Sequence, residues 1–128
     1  MASVYSMMKT FCTFANRSDE VKSFLVGLES KVVMEVKGEE PFYLEFSGGR
    51  VSANRGMPPQ FDATIKSDKA TMHDIIAGKL SQEDAFNRKL IEISGSIQDA
   101  MRVRYVINHT LQQSRTLRFF QRLLGAFS

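Results

Sequence analysis

"DIIAGKLSQEDAFNRKLIEISG", residues 74–95, is the stretch on which the fold turns. Gly78-Lys79 with Ser81 close behind suggests a phosphate-binding loop. That loop needs a glycine five residues before its Gly-Lys and a Ser or Thr directly after it, so that backbone N–H groups wrap the phosphates. His73 and Leu80 occupy those places, so the nucleotide reading fails. The same residues read coherently as a helix stop followed by a new start. Ile75 and Ile76 close an amphipathic helix, Gly78 supplies the left-handed cap, and Lys79 meets the carbonyl end of the helix. Ser81 then caps a short helix, "SQEDAF", with Glu83 and Asp84 in its first turn and Ala85 and Phe86 inward. "LIEIS" follows as a strand with Ile91 and Ile93 inside and Glu92 outside, and Gly95 ends it.

Working upstream, "FDATIKS" reads as a strand with Phe61, Ala63 and Ile65 on one side, and Asp68 caps the helix that presents Met72, Ile75 and Ile76. Met57-Pro58-Pro59 forms a rigid connector, because proline cannot donate to a strand ladder. Before it, period-two runs put Val32, Met34 and Val36, then Phe42, Leu44 and Phe46, then Val51 and Ala53 on single faces. Gly38 with Pro41 and the pair Gly48-Gly49 mark the turns, giving a three-strand antiparallel meander. At the start of the chain, Val4, Met7, Met8, Phe11, Phe14 and Ala15 recur at helical steps. Ser18 caps a second helix that buries Val21, Phe24, Leu25 and Leu28. After Gly95 a long helix carries Ile97, Ala100, Met101, Val103, Ile107 and Leu111 on one arc. Arg104 and Asn108 fall inside that arc, while Arg102 and His109 sit outside it. An unpaired buried charge is costly, so Arg104 and Asn108 either pair at the rim of the core, the favoured reading, or face a ligand head group.

Taken together these residues resemble the sterol carrier protein-2 family. The resemblance runs from about Lys31 to the helix after Gly95. It is most specific in "DATIKSD" and "IIAGKLSQEDAFNRKLIEISG", with strand, acidic cap, helix ending in Gly-Lys, short helix with Ala-Phe, and strand ending in Gly. One departure stands at Lys89-Leu90, where the family commonly has Gly-Lys before the last strand. The resemblance implies an α/β domain of the α+β type. Its five-stranded, mainly antiparallel sheet carries helices on one face, enclosing an apolar tunnel that binds and transfers sterols, fatty acids or acyl-CoA esters. Inward periodicity combined with the family's tunnel position selects Phe24, Leu25, Phe46, Ile65, Met72, Ile76, Phe86 and Met101 as its lining. Arg104 and Asn108 are the head-group candidates.

Bulk properties narrow the alternatives. A length of 128 residues fits one domain, expected to span the whole chain. Ten phenylalanines and seven methionines without tryptophan suit either an ordinary core or an adaptable apolar pocket. No apolar run reaches the length needed to span a bilayer, and "MASVYSMMKTFCTFANRS" lacks a cleavage pattern, so a cytoplasmic location is expected. Cys12 is the single cysteine, which fits a reducing compartment. One cysteine with His73 and His109 shows no metal-ligand spacing and no local nucleophile signature, so neither a metal, a cofactor nor catalysis is expected.

Charge is unevenly placed. Residues 1–99 hold 12 basic and 14 acidic groups, whereas residues 100–128 hold five arginines and no acid. Such a cluster raises nucleic acid as a partner, but single-strand binders set aromatics on an open basic sheet, and here helices claim the sheet's apolar face. Lipid therefore ranks first and nucleic acid well below it. In "SRTLRFFQRLLGAFS", Ser114 to Ser128, a helix would place Leu117, Phe119, Phe120, Leu123, Leu124 and Phe127 on one side and Arg115, Arg118, Gln121 and Arg122 on the other. Burying six such side chains contributes on the order of 10 kcal/mol, so this face is expected to cover something. Three roles stand open for it: a lid on its own domain, a homodimer interface, or transient contact with an anionic membrane surface. The competing function is an accessory domain with a filled tunnel that works through protein–protein contacts.

Overall fold

The computed structural model describes residues 3–112. In chain order the elements are α1 (Val4–Ala15), α2 (Asp19–Leu25), β1 (Ser30–Val36), β2 (Phe42–Ser47), β3 (Arg50–Arg55) and β4 (Ala63–Ser67). They continue with α3 (Lys69–Ile76), α4 (Gln82–Asn87), β5 (Ile91–Gly95) and α5 (Ile97–Gln112). Each helix start that the sequence marks with a polar cap is capped that way. Ser18, Asp68 and Ser81 accept from the N–H groups of Val21, Thr71 and Asp84. The expected meander is present: β1 pairs with β2 and β2 with β3, both antiparallel, and Gly48 and Gly49 both adopt positive φ in the tight turn.

The strands lie in the order β3-β2-β1-β4-β5, with β1 and β4 parallel and the other pairings antiparallel. Because β3 and β4 point the same way with two strands between them, segment 56–62 must return the length of the sheet. Its two ends are pinned, Gly56 N–H donating to Pro41 O and Asp62 N–H to Lys31 O. Val33 faces away from the main core, yet it is fully buried, and Pro58 within the connector is buried too. The helices supply the other layer. Val4, Met7, Met8 and Phe11 of α1 join Val32, Met34 and Val36 of β1 in one core, closed by Ala100, Val103, Val106 and Ile107 of α5. Among the described side chains that core matches the inward faces read from the sequence, with three corrections. Met101 of α5 is half-buried and outside the core, and the side chain of Leu111 lies outside the described ones. Phe61 lies before β4 begins and is 46% exposed, and Ile97, the first residue of α5, is 52% exposed. Both sit at element ends, where the repeat that places their neighbours inward no longer constrains them.

Polar ties fix α1 at both ends. The Glu39 carboxylate accepts from Val4 N–H with both oxygens, at 3.0 and 2.9 Å, and pairs with Lys69 Nζ at 3.5 Å. At the other end Asn16 donates from Nδ2 to Val51 O at 2.8 Å and accepts from Val51 N–H at 2.9 Å, so its amide stands in for a neighbouring strand on β3.

The helix stops of residues 74–95 come as a matched pair. Gly78 N–H donates to Ile75 O and Lys79 N–H to Asp74 O. Eleven residues on, Lys89 N–H donates to Phe86 O and Leu90 N–H to Ala85 O. This is the same double closure of a helix C-terminus, built around a left-handed residue. Gly78 takes φ +78° freely, but at the second stop the left-handed residue is Lys89, at φ +60°. The bend is therefore kept without the glycine that the resemblance would place there. A left-handed lysine costs about 1–2 kcal/mol, partly offset because glycine leaves the unfolded chain freer. Lys89→Gly is accordingly expected to stabilise the fold by up to about 1 kcal/mol, read as a higher urea midpoint at unchanged m-value.

Candidate functional site

The residues selected from the sequence fall into two groups in space. Leu25, Phe46, Ile65, Met72 and Ile76 are each at most 2% exposed and belong to the one core, and Phe24 and Phe86 pack half-buried against it. They come from α2, β2, β4, α3 and α4, so the inward stripes of five elements converge. Phe46 also borders a polar cavity of about 510 Å³ with Ser30, Lys31, Glu45 and Asp62.

The second group lies on α5. Met101, Arg104 and Asn108, with Tyr105 and His109 between and beyond them, line a cavity of about 210 Å³. Helical spacing accounts for this, since residues three, four, seven and eight positions apart share one side of a helix. Arg104 Nη2 lies 3.2 Å from Glu83 Oε2 of α4, which is the rim pairing expected from the sequence. Its Nε is shut off from solvent and has no hydrogen-bond partner among the described residues. His109 Nε2 approaches Glu20 Oε2 of α2 to 2.6 Å, without the alignment of a hydrogen bond. The Tyr105 ring stacks on Phe24, with centroids 3.6 Å apart, and on His109, with centroids 5.6 Å apart.

Three contributors escaped the sequence reading. Gln82 is buried and donates from Nε2 to Ala100 O at 3.2 Å, joining α4 to α5. Glu83 and Glu20 read as ordinary first-turn acids, yet both reach across to α5. Only the pairing of elements reveals them; a charge in a first turn looks the same whether or not a partner stands opposite.

A larger cleft, about 540 Å³, sits at the opposite end of the sheet between the β1–β2 turn and Lys89. It is lined by mixed charges, including the Glu35–Lys66 pair at 3.6 Å. Asp68 borders it, and the hydrogen bond from Thr71 N–H holds its carboxyl below the usual carboxylate range. Among the described residues, no group of three His, Cys, Asp or Glu side chains is placed to hold a metal ion. No described helix is long and apolar enough to cross a membrane.

Comparison with known proteins places this architecture. The family model of the SCP-2 sterol transfer family matches residues 10–108, and the chain belongs to that family. The match extends upstream of the region in which the sequence resemblance was read, into α1. Among solved structures, the chain is similar to the UbiJ-SCP2 ubiquinone synthesis protein at 20% identity and a TM-score of 0.67, covering 83% of this chain and 89% of that one. It is also similar to the sterol carrier protein domain 2 of Helicoverpa armigera, at 18% identity and a TM-score of 0.69, covering 84% and 87%. Palmitated SCP2L2 from Aedes aegypti matches at 19% identity and a TM-score of 0.66, covering 84% and 96%. At these identities the likeness shows a shared fold. No curated protein matches the chain.

Cys12 bears on reactivity. It is buried in α1, and burial pushes its thiol up to about 12. A neutral, enclosed thiol is a poor nucleophile. The folded protein is expected to resist a colorimetric thiol reagent that titrates Cys12 fully once urea unfolds the chain. The sign of the linkage follows: the native state keeps a proton that the unfolded state releases. This contribution to stability is complete below about 9 and declines as the pH rises toward 12.

Proposed function

We propose that this chain binds and carries a lipid, a sterol, a fatty acid or a fatty acyl-CoA, between its helix layer and its sheet, without covalent chemistry. The observation that carries this reading is the convergence of the inward stripes of α2, β2, β4 and α3 on one apolar core, with Phe86 of α4 packed against it. A lipid site needs a mainly apolar interior to solvate the chain, and the side chains selected from the sequence supply one. The core beneath includes Met8, Met34, Met72, Phe11 and Phe46, side chains with enough adaptability to repack around a guest. Membership of the SCP-2 sterol transfer family supports the same reading, and we place its action in the cytoplasm.

A second reading has its own support. Five side chains proposed as tunnel lining are packed to 2% exposure or less, which favours an accessory domain whose interior is filled and which acts through protein contacts. Organic extraction of the purified protein separates the two. Stoichiometric lipid, or saturable uptake of a fluorescent fatty acid, supports the carrier; a clean extract with no uptake supports the filled domain. In the carrier, Met72→Trp and Met101→Trp are each expected to cut uptake at least tenfold while the circular dichroism spectrum is retained. Normal uptake by both variants would put the pocket elsewhere.

Ser114–Ser128, the proposed lid, dimer or membrane segment, lies outside the described residues. Its arginines and apolar side chains support the membrane-contact version of the proposal. That version predicts cosedimentation with anionic vesicles that weakens with added salt and disappears when residues 114–128 are deleted. Aggregation or a shift to monomer on deletion, with no vesicle binding by the intact chain, would instead mark a lid or a subunit interface.

A further inference from the structure

We infer that the outer edge of β5 is a docking strip for a second copy of this chain, the two β5 strands pairing antiparallel about a two-fold axis at Ser94. The inference is independent of the lipid-carrier reading and does not draw on residues 113–128.

The two edges of the sheet are built differently. The strand order β3-β2-β1-β4-β5 leaves β3 and β5 each with one unpaired side. On β3 that side is stopped at Val51, whose N–H and C=O both bond the Asn16 amide. On β5 there is no such stopper, and among the described residues no hydrogen bond reaches its outer side. The bond from Ser96 N–H to Asp62 O fixes the alternation of the β4–β5 ladder. Thr64–Ser94 and Lys66–Glu92 are then its bonded pairs, and Ile91, Ile93 and Gly95 turn their N–H and C=O groups outward. Ile91 is buried, whereas Ile93 is half-buried and Gly95 exposed, so the reachable groups are those of Ile93 and Gly95. Unpaired edge groups of this kind are a template for another strand.

The residues around β5 make it complementary to itself, which selects a second copy as the occupant. With the axis at Ser94, Ile93 of each copy faces Gly95 of the other, and the reachable donors and acceptors of both are met. Gly95 brings no side chain against Ile93, which leaves room for the half-buried isoleucine to be covered. Leu90 and Ile97 stand just before and just after β5, at 37% and 52% exposure. Antiparallel pairing carries each Leu90 to the strand end that holds the other copy's Ile97. Charge follows the same polarity. Exposed Arg88 and Lys89 precede β5, and exposed Asp62 lies beside its far end, bonded to Ser96. An antiparallel copy sets these opposite charges together, whereas a parallel one sets basic end against basic end. Glu92, the one charge within β5, then faces Ser96 of the other copy rather than a like charge.

The test follows the mass of the full-length wild type by sedimentation equilibrium as its concentration rises through the micromolar range, alongside amide hydrogen exchange. The expected result is a reversible approach to twice the monomer mass, with the Ile93 and Gly95 amides exchanging more slowly as the dimer fills. Ile93→Pro removes an outward donor but no bond of the β4–β5 ladder. It is expected to raise the dissociation constant about tenfold or more with the circular dichroism spectrum retained, since symmetry deletes the bond twice. Leu90→Arg combined with Ile97→Arg alters only exposed side chains and is expected to have the same effect, so it decides the matter where the proline variant fails to fold. Ser94→Cys sets two thiols across the axis and is expected to form an intersubunit disulfide on mild oxidation, buried Cys12 staying unreactive. A chain that stays monomeric throughout, its β5 edge open or covered by its own residues 113–128, overturns the inference. So does a dimer that survives the paired arginine substitutions or a folded Ile93→Pro, or one in which Ser94→Cys fails to cross-link.

Discussion

The parallel pairing of β1 with β4 is the constraint from which the rest of the architecture follows. An antiparallel neighbour needs only a tight turn, as between β2 and β3, but a parallel one obliges the chain to travel back along the sheet before pairing. Segment 56–62 makes that journey with Pro58 buried and Val33 hidden on the side away from the main core. All five helices remain to cover the other side, and the apolar stripes of α1, α3 and α5 meet over β1 and its neighbours. A compact helical layer over the central strands is thus a consequence of how one pair of strands is oriented.

Local chemistry made much of this legible. Period-two runs delivered the strands, a Gly-Gly pair the hairpin, and Ser18, Asp68 and Ser81 the helix starts, because each depends on residues a few positions apart. The direction of β4 relative to β1 was not legible, since a strand with one apolar face looks the same in either orientation. Likewise Glu83, Glu20 and Gln82 show nothing locally of their contacts with α5. Arg104 was legible in part. Its place within an apolar arc signalled that it would need a partner, but which helix supplied that partner emerged only from the packing.

The candidate site follows the same division. Leu25, Phe46, Ile65, Met72 and Ile76 converge because inward periodicity is a reliable guide to the core. Periodicity does not separate a side chain that fills space from one that borders it. Met101 lies on the same arc as Ala100 and Val103, yet it lines a cavity while they are sealed in the core. The difference arises from what stands opposite on neighbouring elements.

The clamping of α1 makes the helical layer mechanically uneven. One end of α1 is held by the Glu39 carboxylate and the other by the Asn16 amide, so lifting the helix from the sheet breaks polar bonds as well as apolar contact. On the α5 side, seven-residue α2 is held by Val21 and Leu25 in the core, by ring stacking and by the close approach of Glu20 to His109, and its exit at Val26 is 73% exposed. Separating α1 from β3 and from the β1–β2 turn therefore costs hydrogen bonds, whereas parting α2 from α5 costs mainly ring and apolar contact.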